Sequence, residues 1–278
     1  MLKINVLGQD RPQQNSEFEF FNEACKYHRH HAVRDSKPIA DHLHAANRLL
    51  EVSNNYKKFY SAQEVKLECD TDLSQSRLLD CLQKRRSCRH FSTSPLDFAQ
   101  MSSLLNISFG ATRLSSNPAF SQDRIHMRSY PSAGALYPVE TYVIPLNVTS
   151  QPAVCAHYSA IEKHLSIVRH QIDIDDVHDM FMLKDGTADT ALIVVFAGVF
   201  MRSTAKYQSR GYRFTLMEAG HMAQNLCLTA AAMGLGSLAW SSYYDDEVNE
   251  LIGIDGVAES AVHCVLLGHP KEKTERGE

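Results

Sequence analysis

Ala191 to Met201 is an uninterrupted apolar run of eleven residues, rich in β-branched and aromatic side chains. It is about half of the ~20 residues needed to cross a bilayer, and it lacks the alternation of a strand with one wet face. The run therefore predicts a strand covered on both faces, at the centre of a layered fold. A long helical signal follows, about Arg213 to Met233, with Leu216, Gly220, Ala223, Cys227 and Ala230 expected on its inner face and Gly234 closing it. Small residues on that face let another backbone come close. With 278 residues, 44% of them hydrophobic, the chain is long enough to bury a sizeable core around these two elements.

The remaining elements read less sharply. Leu78, Leu79 and Leu82 fall at helical spacing in a segment starting near Leu73, which runs into Lys84-Arg85-Arg86-Ser87-Cys88-Arg89. Ser94-Pro95-Leu96-Asp97 reads as a cap, a first-turn proline and a first-turn acid, before a helix with Phe98, Met101, Leu105 and Phe109 on one face and Gly110 at its end. Ala111 to Arg128 reads as a long loop. Val139 to Ile144 is a strand, and Ala153–Tyr158 with His164–Arg169 form a hairpin. Ser237–Trp240, a short acidic-started helix from Asp246 to Ile252, and a strand from Val262 to Leu267 complete the chain. Residues 1–70 are polar and histidine-rich, with a turn at Asp35-Ser36-Lys37-Pro38 and an amphipathic stretch from Ile39 to Leu50.

Several functions are disfavoured at this level. A formal charge of −4 argues against a surface built to neutralise a nucleic-acid backbone, although one local phosphate site fits within it. The start, Met1-Leu2-Lys3-Ile4-Asn5, lacks the apolar core of a signal peptide, so a soluble cytoplasmic protein without membrane contact is expected. Seven scattered cysteines with no C-x-x-C pair suggest free thiols. His28, His30, His31, His42 and His44 are dense but show no zincin pattern, and no metal is expected.

Three segments carry chemistry. Arg85, Arg86 and Arg89, with Ser87 between them, place guanidinium groups and a hydroxyl where a helix ends, a cradle for one phosphate; a solvated basic turn has the same composition. Pro131-Ser132-Ala133-Gly134-Ala135 is a run of small residues whose main chain can approach a flat ligand, or simply a tight turn before a strand. Lys206-Tyr207 stands between the apolar strand and the long helix, where layered folds present catalytic groups; a basic turn facing solvent reads equally well. No G-x-G-x-x-G, P-loop or G-x-S-x-G is present.

Taken in order, Arg85-Arg86-Ser87-x-Arg89-x-Phe91, Pro131-Ser132-Ala133-Gly134-Ala135-Leu136-Tyr137-Pro138, Lys206-Tyr207 and Tyr212-Arg213 resemble the nitroreductase superfamily. Within it they resemble the flavin-dependent azoline dehydrogenases of the SagB/McbC type, from about residue 74 to the end, including Glu218-Ala219-Gly220 and Gln224-Asn225. The resemblance implies an FMN-binding α+β fold, a central mostly antiparallel sheet flanked by helices, in residues 74–278. Residues 1–73 would be an N-terminal extension for partner or dimer contacts. It further implies a homodimer with flavin at the interface. Arg85, Arg86, Ser87 and Arg89 would hold the FMN phosphate and ribityl chain, Pro131 to Ala135 would face the isoalloxazine, and Ser241 and Ser242 would face its other side.

In that family a Lys-Tyr pair accompanies oxidation of thiazoline or oxazoline to thiazole or oxazole. A proton leaves the former Cα and a hydride passes to flavin N5, with Tyr207 as base and Lys206 supporting it, or the reverse. The substrate would be a ribosomal precursor peptide cyclised by a YcaO-type cyclodehydratase, with oxygen reoxidising the flavin. An NAD(P)H-dependent flavin or nitro reductase and a non-catalytic scaffold subunit are the alternatives.

Overall fold

The computed structural model describes residues 17–26, 37–41, 57–69, 71–116 and 124–271. The histidine group, the 35–36 turn residues and most of the 39–50 stretch lie outside them.

The apolar run becomes strand β7 (Leu192–Val199), and the sheet explains why it is apolar throughout. Leu192, Val194 and Phe196 enter one core cluster, whereas Ile193, Val195 and Ala197 enter a second on the opposite face. A strand with two dry faces cannot alternate. Its neighbours are β4 (Val139–Pro145) and β9 (Glu259–Gly268), both antiparallel to it. Outward from β4 come β5 (Cys155–Ser159), β6 (His164–Arg169) and β1 (Glu64–Lys66), and outward from β9 comes β8 (Gly236–Trp240). All six pairings in this seven-stranded sheet are antiparallel. The expected hairpin is β5–β6, with a register shift at Cys155/Ala156. The sheet crosses residue 73: β1 is its edge strand and Leu67 sits in the core.

Helices cover both faces. α3 (Phe98–Phe109) and α6 (Ser209–Ala232) contribute to the first cluster, and α4 (Ile174–Met180) and α7 (Asp245–Ile252) to the second. Further helices are α1 (Glu17–Ala24), α2 (Leu78–Lys84) and α5 (Phe200–Tyr207). Phe21 of α1 meets Tyr212 edge-on at 5.1 Å, seating this helix against the start of α6.

Four expectations change. α3 starts three residues later than Ser94-Pro95 suggested, because Asp97 caps it reciprocally with Gln100 and Leu96 is committed to a bridge with Val148. Ala111 to Arg128 is no plain loop: β2 (Ala111–Ser116) and β3 (Arg124–Arg128) pair as a separate hairpin. α6 begins at Ser209, and Leu216 and Gly220 face outward while Thr215, Glu218, Ala219, Met222 and Leu226 face the core. α2 is confined to seven residues, and Leu78, Leu79 and Leu82 lie on its exposed side.

Candidate functional site

Two of the three chemistry-bearing segments meet at the start of α6. β7 ends at Val199 and the chain turns directly into α5, whose last two residues are Lys206 and Tyr207. Gln208 then takes φ 52° and reverses the chain into α6. The two helices pack closely because residue 211 is glycine: a Cβ there would lie 2.6 Å from the Ser203 carbonyl carbon and the Thr204 nitrogen. Lys206 is thereby buried, at 4% exposed, with Nζ 5.1 Å from the centre of the Tyr207 ring. Burial lowers its pKa, which favours the neutral amine. Tyr207 is half-buried and meets Phe214 edge-on at 5.0 Å.

The small-residue segment lies directly against this pair. It forms a tight turn at Ala133–Ala135, in which Gly134 has φ 66° and remains exposed. A Cβ on Gly134 would lie 2.6 Å from Tyr207 Oη and 2.8 Å from Lys206 Nζ, so the ends of both side chains converge on one glycine. The flat-ligand reading and the catalytic-pair reading of the sequence thus describe one place. A buried polar cluster supports it from behind. Arg128, at the end of β3, donates from Nη1 to Tyr130 Oη at 2.8 Å and lies 4.5 Å over the Tyr137 ring. Arg202 of α5 donates to the Tyr137 carbonyl at 3.1 Å and ion-pairs with Glu140 of β4 at 2.5 Å. His157 of β5 hydrogen-bonds the other Glu140 oxygen at 2.8 Å. Burial alone would raise the Glu140 pKa, but Arg202, His157 and Arg128 hold it well below the carboxylate range.

The third segment sits at the other end of α6. α2 ends at Lys84, and Arg85 and Arg86 line a cavity of about 220 Å³ together with Lys84, Ala231, Gly234, Leu235 and Ser237. Gly234, at φ 72°, leaves open space where a Cβ would stand. No carboxylate among the described residues ion-pairs with Arg85, Arg86 or Arg89. Two guanidinium groups on one cavity wall without an acid partner among the described residues are what a phosphate site requires. Ser87 bridges to Ser237 through the backbone, with the adjacent Cys88 N–H donating to the Ser237 carbonyl at 2.9 Å. Arg89 is exposed two residues further on and is not in the lining.

Ser241 and Ser242 make their hydrogen bonds outside both clusters. They follow β8, whose other end carries Ser237, about 13 Å away at the rise of a strand. Ser241 Oγ lies 3.3 Å from His263 Nδ1, and the Ser242 carbonyl accepts from Trp240 Nε1 at 2.8 Å. Sequence reasoning assigned no role to Arg128, Glu140, Arg202 or Glu218. A basic or acidic residue inside an apolar or β-rich segment, as at Glu140, is the only signal they give. No group of three or more metal-ligating side chains occurs among the described residues, and no described helix is long and apolar enough to cross a membrane.

Residues 82–269 match the model of the nitroreductase family. A nitroreductase-type protein of Methanocaldococcus jannaschii is 33% identical over 190 residues, covering 66% of this chain and 87% of that protein. The microcin B17-processing protein McbC of Escherichia coli is 30% identical over 137 residues, covering 46% of this chain and 49% of McbC, so the match spans about half of that relative. Among solved structures, a nitroreductase-type protein from Ralstonia eutropha superposes with a TM-score of 0.62 at 23% identity, covering 77% of this chain and 93% of that one. The Escherichia coli microcin synthetase McbBCD complex with truncated pro-MccB17 bound contains a chain with a TM-score of 0.58 at 24% identity, covering 80% and 81%. These likenesses show the expected fold, helices flanking a large antiparallel sheet.

Proposed function

The chain belongs to the nitroreductase family, a family of oxidoreductases, and from that premise we propose that it is an FMN-dependent azoline dehydrogenase. Its substrate would be a ribosomally made precursor peptide, whose thiazoline or oxazoline rings it oxidises to thiazoles or oxazoles. The observation that carries this reading is the convergence of Lys206 Nζ and Tyr207 Oη on Gly134. A flavin reductase needs no such pair. Similarity to McbC, a microcin-processing protein, supports a peptide substrate and a cyclodehydratase partner of the YcaO type.

The residues fit the cofactor. Arg85 and Arg86 would hold the phosphate in the cavity at the end of α6, with Ser87 and Arg89 at its edge, and the partly exposed segment Pro131 to Ala135 would face the flat ring. When bound, FMN supplies a two-electron acceptor for hydride. The protein's own task is the proton. Oxidising an azoline removes the proton from the ring carbon that was a residue's Cα. Tyr207 Oη would take it and Lys206 would stabilise the charge that develops, or the buried amine would serve as the base itself. Ser241 and Ser242 remain candidates for the opposite face of the ring.

The two halves of the flavin site are held apart by α6. From Glu218, beside the turn, to Ala231, in the cavity wall, is about 20 Å along the helix axis. A cavity from one copy and a turn from another serve a single flavin, so a homodimer is part of the proposal. Leu78, Leu79, Leu82, Leu216 and Met217 offer it exposed apolar area.

The test is the mass of a cyclised precursor peptide incubated with the protein and air. Each ring oxidised should lose about two mass units, the proton and the hydride together. Lys206→Ala and Tyr207→Phe should stay yellow and lose that change by two orders of magnitude or more, ~10²-fold for a general base. Full activity in both variants would overturn the catalytic assignment. Rapid bleaching by NADPH with no change in the peptide would identify a reductase instead, and a colourless protein that takes up no FMN would identify a scaffold.

A further inference from the structure

The turn that faces Lys206 and Tyr207 is strained, and the structure shows what holds it. Gly134, Ala135 and Tyr137 all have positive φ, at 66°, 54° and 46°. L-residues enter that region at a cost and remain there only where their surroundings over-determine them. Ser132 Oγ accepts from the Tyr137 N–H at 2.9 Å, and Tyr137 Oη accepts from the Arg128 N–H at 3.1 Å. Behind them, on the inner face of α6, Glu218 is 2% exposed. The Ser132 hydroxyl and the Val139 N–H lie close enough to its carboxyl to favour the ionised form, and its Oε1 has no hydrogen-bond partner among the described residues. The charged groups that face it are Arg128 from β3 and Arg202 from α5; Glu140 from β4 and the phenol of Tyr130 act on the same Arg128.

We propose that Glu218 is a positioning residue: its carboxyl ties both ends of the Ser132–Val139 turn to α6 and so presents Gly134 to Lys206 and Tyr207. The tie is proton-linked. Burial pushes the Glu218 carboxyl up to about 7, outweighing the Ser132 hydrogen bond and the Arg128 charge. An acid whose pKa is higher in the closed turn than in solvent is held more tightly when protonated, so the turn loosens as pH rises through about 7. The inference rests on the proposed function only in taking this turn as the flavin-facing one.

Hydrogen exchange of the full-length protein without added flavin tests it, followed over residues 132–139 at about pH 6 and about pH 8.5 and corrected for the chemical exchange rate. Wild-type protection should fall about tenfold or more between the two, as the raised pKa requires. Glu218→Gln, neutral and of the same shape, should stay protected at both. Ser132→Ala should lose about tenfold at both, the scale of one buried hydrogen bond. Wild-type protection independent of pH, or a Gln variant that falls in parallel with wild type, overturns the proposal. An FMN titration under the same conditions separates the two readings. Failure to bind FMN with the exchange pattern intact removes the flavin assignment and leaves the Glu218 tie standing; binding with the pattern absent does the reverse.

Discussion

Gly134 concentrates the demands on single residues. Its φ of 66° suits glycine, and its missing Cβ is the space into which Tyr207 Oη and Lys206 Nζ reach. In Gly134→Ala the clashing atoms are the ends of flexible side chains, which swing away more cheaply than backbone does. Stability should therefore fall by only about 1–2 kcal/mol in urea titrations. Turnover should fall by ~10²-fold, because the pair is displaced by about an ångström from its working position. A variant as active as wild type would remove Gly134 from the site. The glycine was visible in the sequence as part of a small-residue run, and Lys206-Tyr207 as a pair beside a buried strand. Their meeting was not legible, since seventy residues of chain separate them and adjacent helical residues diverge by about 100°.

At the scale of elements, α5 and α6 pack directly against each other at Gly211. Gly211 is the point of closest approach, because the atoms a Cβ would strike are the backbone of Ser203 and Thr204, which cannot rotate aside. Gly211→Ala should cost about 2–4 kcal/mol and shift Lys206 and Tyr207 together, lowering turnover more than FMN affinity. Urea midpoints and FMN titrations check both halves of that statement. α6 also shows a pattern that holds over part of a helix. Of the expected inner stripe, Ala223, Cys227 and Ala230 are buried, whereas Leu216 and Gly220 lie outside and Thr215 and Glu218 take the inner face near the helix start. Hydrophobic periodicity found the helix and the inner face of its later turns and missed the first turns, because a buried glutamate counts as polar in any pattern, whatever partners tertiary packing gives it.

For the whole molecule, electrostatics and association give the checks. Glu140 is 3% exposed and ionised between Arg202 and His157. Its folded pKa is depressed, so its contribution is complete above the unfolded value of about 4.5 and disappears as pH falls below it. Glu140→Gln should destabilise the protein at neutral pH by about 3–5 kcal/mol, leaving Arg202 without its counter-charge, and should match wild type in strong acid. Thermal unfolding against pH shows whether the curves meet. The proposed dimer makes a separate claim: Leu79→Glu, on a helix whose leucines are exposed, should yield a monomer of 31.2 kDa by light scattering and weaken FMN binding with it. A dimer of unchanged FMN affinity would exclude α2 from the interface.

The sequence by itself determined the central strand, the long helix after it, the presence of a compact basic cluster and the composition of the turn, because each is written in contiguous residues whose burial or charge is a local property. Only the tertiary structure decided that the turn and the Lys206–Tyr207 pair meet, and that the basic cavity lies at the far end of α6. It also supplied the buried carboxylates and arginines beneath the turn. Charged side chains are tolerated in a core only where partners from other elements compensate them, and those partners are brought together by folding, from β3, β4, β5, α5 and α6.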